Sequence, residues 1–187
     1  MSPFQLLFNF DIKILNFGGI IKQITNFIFH HKMYTIIKRN RILERNENKK
    51  ENLYICALGP SLKEVDLYKI KGHTMVVNRF FKIGEKFPDF IPTYYVIIDS
   101  LFASKGLSPE LKCALDLYIP KGTIFLLNSQ LADSEVLDGY NKDQIFFLSS
   151  FSGELSPNKD YRLSKVLPIF ENVAGAAIIA GVCMNYK

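Results

Sequence analysis

Leu53-Tyr54-Ile55-Cys56-Ala57-Leu58-Gly59-Pro60-Ser61-Leu62 is an apolar run broken by Gly-Pro-Ser. Leu53–Leu58 has the length of a strand and the apolar character of one buried on both faces, as parallel strands are. Gly59-Pro60 ends it. Ser61-Leu62-Lys63-Glu64 then matches the S-x-x-E capping box, which predicts a helix from Ser61. A strand, a tight turn and a helix N-terminus in that order can hold a phosphate through free backbone N–H groups and the helix dipole. Gly59 leaves room for close approach, Pro60 presets the turn, and Ser61 offers its hydroxyl to a phosphate or to its own helix. On spacing alone an ordinary turn explains the same residues, and the chain holds neither G-x-G-x-x-G nor G-K-S/T.

Downstream, Thr74–Asn78, Tyr94–Ile98, Thr123–Leu127 and Gln144–Leu148 read as further strands. Ser108-Pro109-Glu110 opens a helix to about Tyr118, with Ser108 as N-cap and Pro109 at the first helical position. Asn172–Asn185 is a helix of small residues, suited to close packing on a sheet. This alternation predicts an α/β fold over 53–187: a Rossmann-like, mainly parallel, doubly wound sheet with flanking helices. Such sheets bind ligands beyond the carboxyl ends of their strands. The polar residues there are Gly59 and Ser61, Asn78 and Arg79, Asp99, then Asn128, Ser129 and Gln130, then Ser149 and Ser150. The Asn78 amide suits a base, a ribose or a loop cap. Asp99 suits a ribose hydroxyl, a metal or a turn cap. His73 reads as structural or exposed, and no catalytic triad or carboxylate pair is readable from residue order.

Residues 1–52 form a separate arm and linker. Nine Lys/Arg stand against three Asp/Glu in the first fifty residues, so the net charge of +5 belongs to the arm. The near-neutral remainder excludes a basic nucleic-acid binder. Ile20, Ile24, Phe27, Ile28 and Tyr34 make a helical stripe followed by Lys38, Arg39, Arg41, Arg45, Lys49 and Lys50. Over residues 4–50 this suits peripheral contact with an anionic membrane surface. A helix packed on the domain or a partner, followed by a solvated linker at about 40–52, fits the same pattern. No apolar run approaches the length of a spanning helix, and the order of charges is wrong for a signal peptide. Cys56, Cys113 and Cys183 are far apart and read as small buried apolar residues, which fits a reducing cytoplasm. With no CxxC or Cys/His cluster, no structural metal and no cofactor are expected.

Ala57-Leu58-Gly59-Pro60-Ser61-Leu62-Lys63-Glu64-Val65-Asp66 resembles the GNGPSLKE-D opening of the bacterial sialyltransferases of glycosyltransferase family 42. It also resembles the wider MptE-like set, which includes archaeal 6-hydroxymethylpterin diphosphokinases. Val76-Val77-Asn78-Arg79-Phe80-Phe81 is similar to the family's second strand, and Pro92–Ser100 to its third. Asn172-Val173-Ala174-Gly175 resembles the segment before a later strand. The version here is similar to uncharacterised members encoded among bacterial surface-polysaccharide genes. The resemblance implies a nucleotide-sugar donor of the cytidine type and a glycan acceptor. Gly59, Pro60 and Ser61 would then approach the phosphates, Asn78 and Asp99 the nucleotide, and Asn172 the donor. Leu58 stands where the family has a donor-binding Asn. Family members continue past a segment like Asn185-Tyr186-Lys187 into a strand reading roughly EIYLxGxDF, then to the acceptor side with its catalytic His. The expectation is therefore an incomplete active site, from a shortened chain, a split gene or a degenerate copy, with the catalytic residues unknown. Three functions follow: a sialyltransferase-like glycosyltransferase of polysaccharide biosynthesis, in the cytoplasm or at the inner membrane face; a Mg²⁺-dependent diphosphokinase; or a non-catalytic nucleotide- or partner-binding module.

Overall fold

The computed structural model describes residues 31–44, 51–103, 107–151, 160–168, 170 and 172–186. The chain divides into two compact units, Met1–Met33 and Tyr34–Lys187. Nearly all of the first, with most of the expected apolar stripe, lies outside the described residues. Among the described residues no helix is long and apolar enough to cross a membrane.

The second unit is an α/β fold on a five-stranded parallel sheet. Its strands are β1 (Leu53–Cys56), β2 (His73–Val77), β3 (Tyr94–Ile97), β4 (Ile124–Asn128) and β5 (Ile145–Leu148). All neighbours pair in parallel, with registers such as Cys56↔Val76, Val76↔Tyr95 and Tyr95↔Phe125. A second, two-stranded sheet pairs β6 (Ser150–Phe151) with β7 (Leu167–Pro168). Besides short helical turns at Arg41–Glu44 and Phe81–Gly84, longer helices of 11 residues run through Ser108–Tyr118 (α1) and Val173–Cys183 (α2).

Period-two alternation divides the strand residues between two cores. Val76, Tyr95, Ile97, Phe125 and Leu127 face one side, where they meet Leu62, Leu67, Phe80, Leu111 and Leu115 of the connections. Met75, Val77, Val96, Leu126 and Phe146 face the other, where they meet Leu43, Leu163 and the alanines of α2. Spatial order follows chain order, β1-β2-β3-β4-β5. The expected double winding is therefore not found among the described strands. Right-handed crossovers between successive neighbours all fall on one face, so the connections pack together in the first core. The opposite face is closed by α2, as the small-residue pattern predicted: Ala176, Ala177 and Ala180 are fully buried. A Cβ on Gly181 would lie 2.8 Å from Leu53 Cδ2, so with any larger residue the Leu53 side chain would have to shift.

Residues 40–44 of the solvated linker expected at about 40–52 belong to the folded unit instead, and 45–50 lie outside the described residues. Asn40 is fully buried, and its Nδ2 donates to the carbonyls of Phe147 at 2.7 Å and Leu163 at 2.8 Å. Leu43 joins the second core, while Glu44 accepts from the backbone N–H and hydroxyl of Ser164. Asn40, Leu43 and Glu44 fall at helical spacing and pack here together, with Asn40 supplying the donor that the two carbonyls need. Cys56 and Cys183 are buried as expected, but Cys113 is exposed, since it lies on the outer face of α1.

Candidate functional site

Gly59, Pro60 and Ser61 follow β1 as expected, but the helix is a single 3-10 turn, Pro60–Glu64. Its N-cap is Gly59, extended at φ −83° and ψ 163°, and no side chain caps it. Pro60 takes the first position and starts the turn one residue early, which puts Ser61 inside it. The Ser61–Glu64 capping box therefore does not form. A turn this short also lacks the aligned peptides of a full helix dipole. A similar shift moves the N-cap of α1 from Ser108 to Leu107.

Asn78 follows β2 with φ +43°, in the left-handed region that Asn tolerates better than most side chains. The Tyr95 hydroxyl donates to its carbonyl at 2.6 Å and accepts from Phe81 N at 3.0 Å. Tyr95 is wholly buried, with its ring stacked 5.0 Å from Phe125. Burial pushes its phenol far above the ordinary value, so it remains a donor. The Asn78 Oδ1 atom is itself buried and has no hydrogen-bond partner. Leaving such an oxygen unpaired costs about 1–3 kcal/mol. Orphaned polar atoms and unusual backbone together are characteristic of ligand sites.

Asp99 caps a turn: its Oδ1 accepts from Leu101 N at 2.9 Å. Asn128 ties the ends of β3 and β4 by donating to the Ile98 carbonyl at 2.6 Å while accepting from Gln130 N. Asn172 is the N-cap of α2 and accepts from Gly175 N at 2.8 Å. The far end of α2 lies by the amino ends of the strands, where Gly181 meets Leu53 and the Tyr186 hydroxyl bonds that of Tyr94 at 2.9 Å. Asn172 therefore belongs to the carboxyl edge, on the face opposite the crossovers. Gly59, Asn78 and Asp99 share that edge, since they follow three adjacent parallel strands. His73 lies at the other end, 2.7 Å from Glu51 and beside the Tyr186 ring.

A cavity of about 490 Å³ opens where the turn after β1 meets the helical turn after β2. Leu58, Gly59, Pro60 and Leu62 form one side, and Ile83 and Phe87 the other; Lys63 and Lys86 also line it. Ser61, Asn78, Asp99 and Asn172 do not. Lys63, Ile83, Lys86 and Phe87 carry no collective signal in the sequence, because only the packing of two separate turns unites them. Close by, Glu110 accepts from Arg79 Nε and Lys82 Nζ, each at 2.7 Å. Those bonds, Lys82 first and then Arg79, hold its carboxyl below the usual range. Among the described residues no three His, Cys, Asp or Glu side chains gather as a metal site. No protein-family model matches the chain, and no curated protein or solved structure matches it either.

Proposed function

We propose that the chain is a glycosyltransferase-like protein that binds a nucleotide-sugar at the carboxyl edge of its sheet, in the synthesis of a surface glycan. Asn78 carries the reading: a residue in the left-handed region at a strand end, with a buried amide oxygen lacking a donor. A phosphate cannot supply that donor, whereas an amino group of a base or a ribose hydroxyl can. Gly59 and Pro60, exposed at the adjacent strand end, leave the phosphates room beside it. The likeness of GPSLKE and VNRF to the sialyltransferase pattern supports a cytidine donor. In the reaction, an acceptor hydroxyl displaces the nucleotide, which needs a general base and a stabilised leaving phosphate.

Thermal-shift titration with cytidine, uridine, guanosine and adenosine nucleotides tests it. The expected result is protection strongest with one base, reduced about tenfold or more in affinity by Asn78→Gly. Glycine accepts the same backbone angle, so this variant removes the amide alone. No protection by any nucleotide overturns the reading.

A further inference from the structure

We infer that the cavity between Gly59-Pro60 and Phe87 is an organic-phosphate site, in which Lys63 and Lys86 hold a phosphate or diphosphate and Leu58, Ile83 and Phe87 receive the body it is attached to. Its volume of about 490 Å³ lies within the range of small-molecule sites, and its wall is mostly apolar. Two cations line it and no carboxylate does. Other cations on the neighbouring turns are neutralised: Lys69 by Asp66, and Arg79 and Lys82 by Glu110. Lys63 and Lys86 have no such partner among the described residues. A neutral ligand would gain nothing from either ammonium group. An inorganic anion would make no use of Leu58, which is 40% exposed, or of the half-buried Phe87. An ester of phosphate with a ring or hydrocarbon body answers both features.

Where the body is a nucleoside, the inference rests on the reading given under the proposed function. The phosphates would then extend from the Asn78 side past Gly59 toward the lysines. Leu58 would supply apolar contact where the resembling family has a polar one.

Calorimetric titration of the full chain with cytidine diphosphate, phenyl phosphate, inorganic pyrophosphate and cytidine tests this. Both lysines are exposed, so the double variant Lys63→Ala/Lys86→Ala is expected to fold with an unchanged circular dichroism spectrum. It should bind the phosphate esters at least about tenfold more weakly, while Lys63→Arg/Lys86→Arg stays within about threefold of the parent. Phe87→Ala should weaken phenyl phosphate more than pyrophosphate. Loss of phenyl phosphate in the double alanine variant, with Asn78→Gly without effect on any ligand, supports the phosphate site and overturns the nucleotide reading. Unchanged cytidine diphosphate binding in the double alanine variant, with loss in Asn78→Gly, overturns the phosphate site and leaves the nucleotide reading standing. Failure of the parent chain to bind any of the phosphates overturns the phosphate site outright.

Discussion

The Tyr95 hydroxyl lies 2.6 Å from the Asn78 carbonyl, so the middle strand of the sheet holds the left-handed turn that follows β2. The same oxygen accepts from Phe81 N and thereby fixes both sides of the Asn78–Phe80 turn. Tyr95→Phe keeps the stacking on Phe125 and removes only these two bonds. Stability should fall by about 1–3 kcal/mol, because Phe81 N and the Asn78 carbonyl lose their partner. Denaturant unfolding measures the loss, and nucleotide protection should weaken with it. An unchanged midpoint would show that the turn holds itself.

Gly84 and Tyr118 give a paired prediction. A Cβ on Gly84 would collide with the Tyr118 hydroxyl, which is buried and has no partner. Burial pushes that phenol up to about 12. Gly84→Ala should therefore destabilise by about 1–3 kcal/mol. Tyr118→Phe should be neutral or stabilising by up to about 1 kcal/mol, since no hydrogen bond is lost. Combined, the two should cost less than their sum, which a double-mutant cycle reads directly.

Asn40 tests where the folded unit begins. Asn40→Ala leaves the buried carbonyl of Leu163 and the partly buried one of Phe147 without this donor and should cost about 1–3 kcal/mol. Asn40→Asp sets a carboxylate against the same carbonyls and should cost more. Equal midpoints for both variants and the parent would return residue 40 to a solvated linker. Removal of residues 1–50 should unfold the sheet's second core, whereas removal of 1–33 spares Asn40 and Leu43. Flotation with liposomes is therefore best compared using the shorter deletion.

Glu110 sets an acid limit. Its folded-state pKa is depressed by Lys82 and Arg79, so its contribution to stability is complete above the ordinary glutamate value of about 4.3. That contribution disappears as pH falls through the lower folded-state value. Glu110→Gln lacks it throughout. The difference in melting temperature between parent and variant should be largest near neutrality and close as the pH drops below about 4. A difference independent of pH would mean that the pairing is screened by solvent.

The five strands of the main sheet were legible because each is a compact apolar run bounded by turn residues, and each starts or stops within one residue of its expected end; β6 and β7, two residues each, were too short to read. Helix starts were less legible. Proline at the first position of Pro60–Glu64, and near the start of α1, moved the cap one residue ahead of the serine that the capping pattern nominates. Sheet order was not legible, since alternation of strands and helices is the same for single and double winding. At the candidate site, strand-end polarity marked Asn78, but its unpaired amide oxygen is a matter of packing. Asp99 and Asn172 use their visible carboxylate and amide oxygens on their own turns, and these contacts depend on geometry within two or three residues. The two lysines of the cavity stand on different connections and no spacing rule joins them.

Consecutive strand order has a consequence for synthesis on the ribosome. Each new strand adds beside the previous one, so the sheet and its crossover face can grow as the chain emerges. The other face cannot be finished in that order. Met75 and Val77 await α2, which leaves the ribosome about 100 residues later. For that interval a row of apolar side chains is open to water and to neighbouring chains. Slow translation between β2 and α2 would lengthen that exposure, and a chaperone on the open face would shield it.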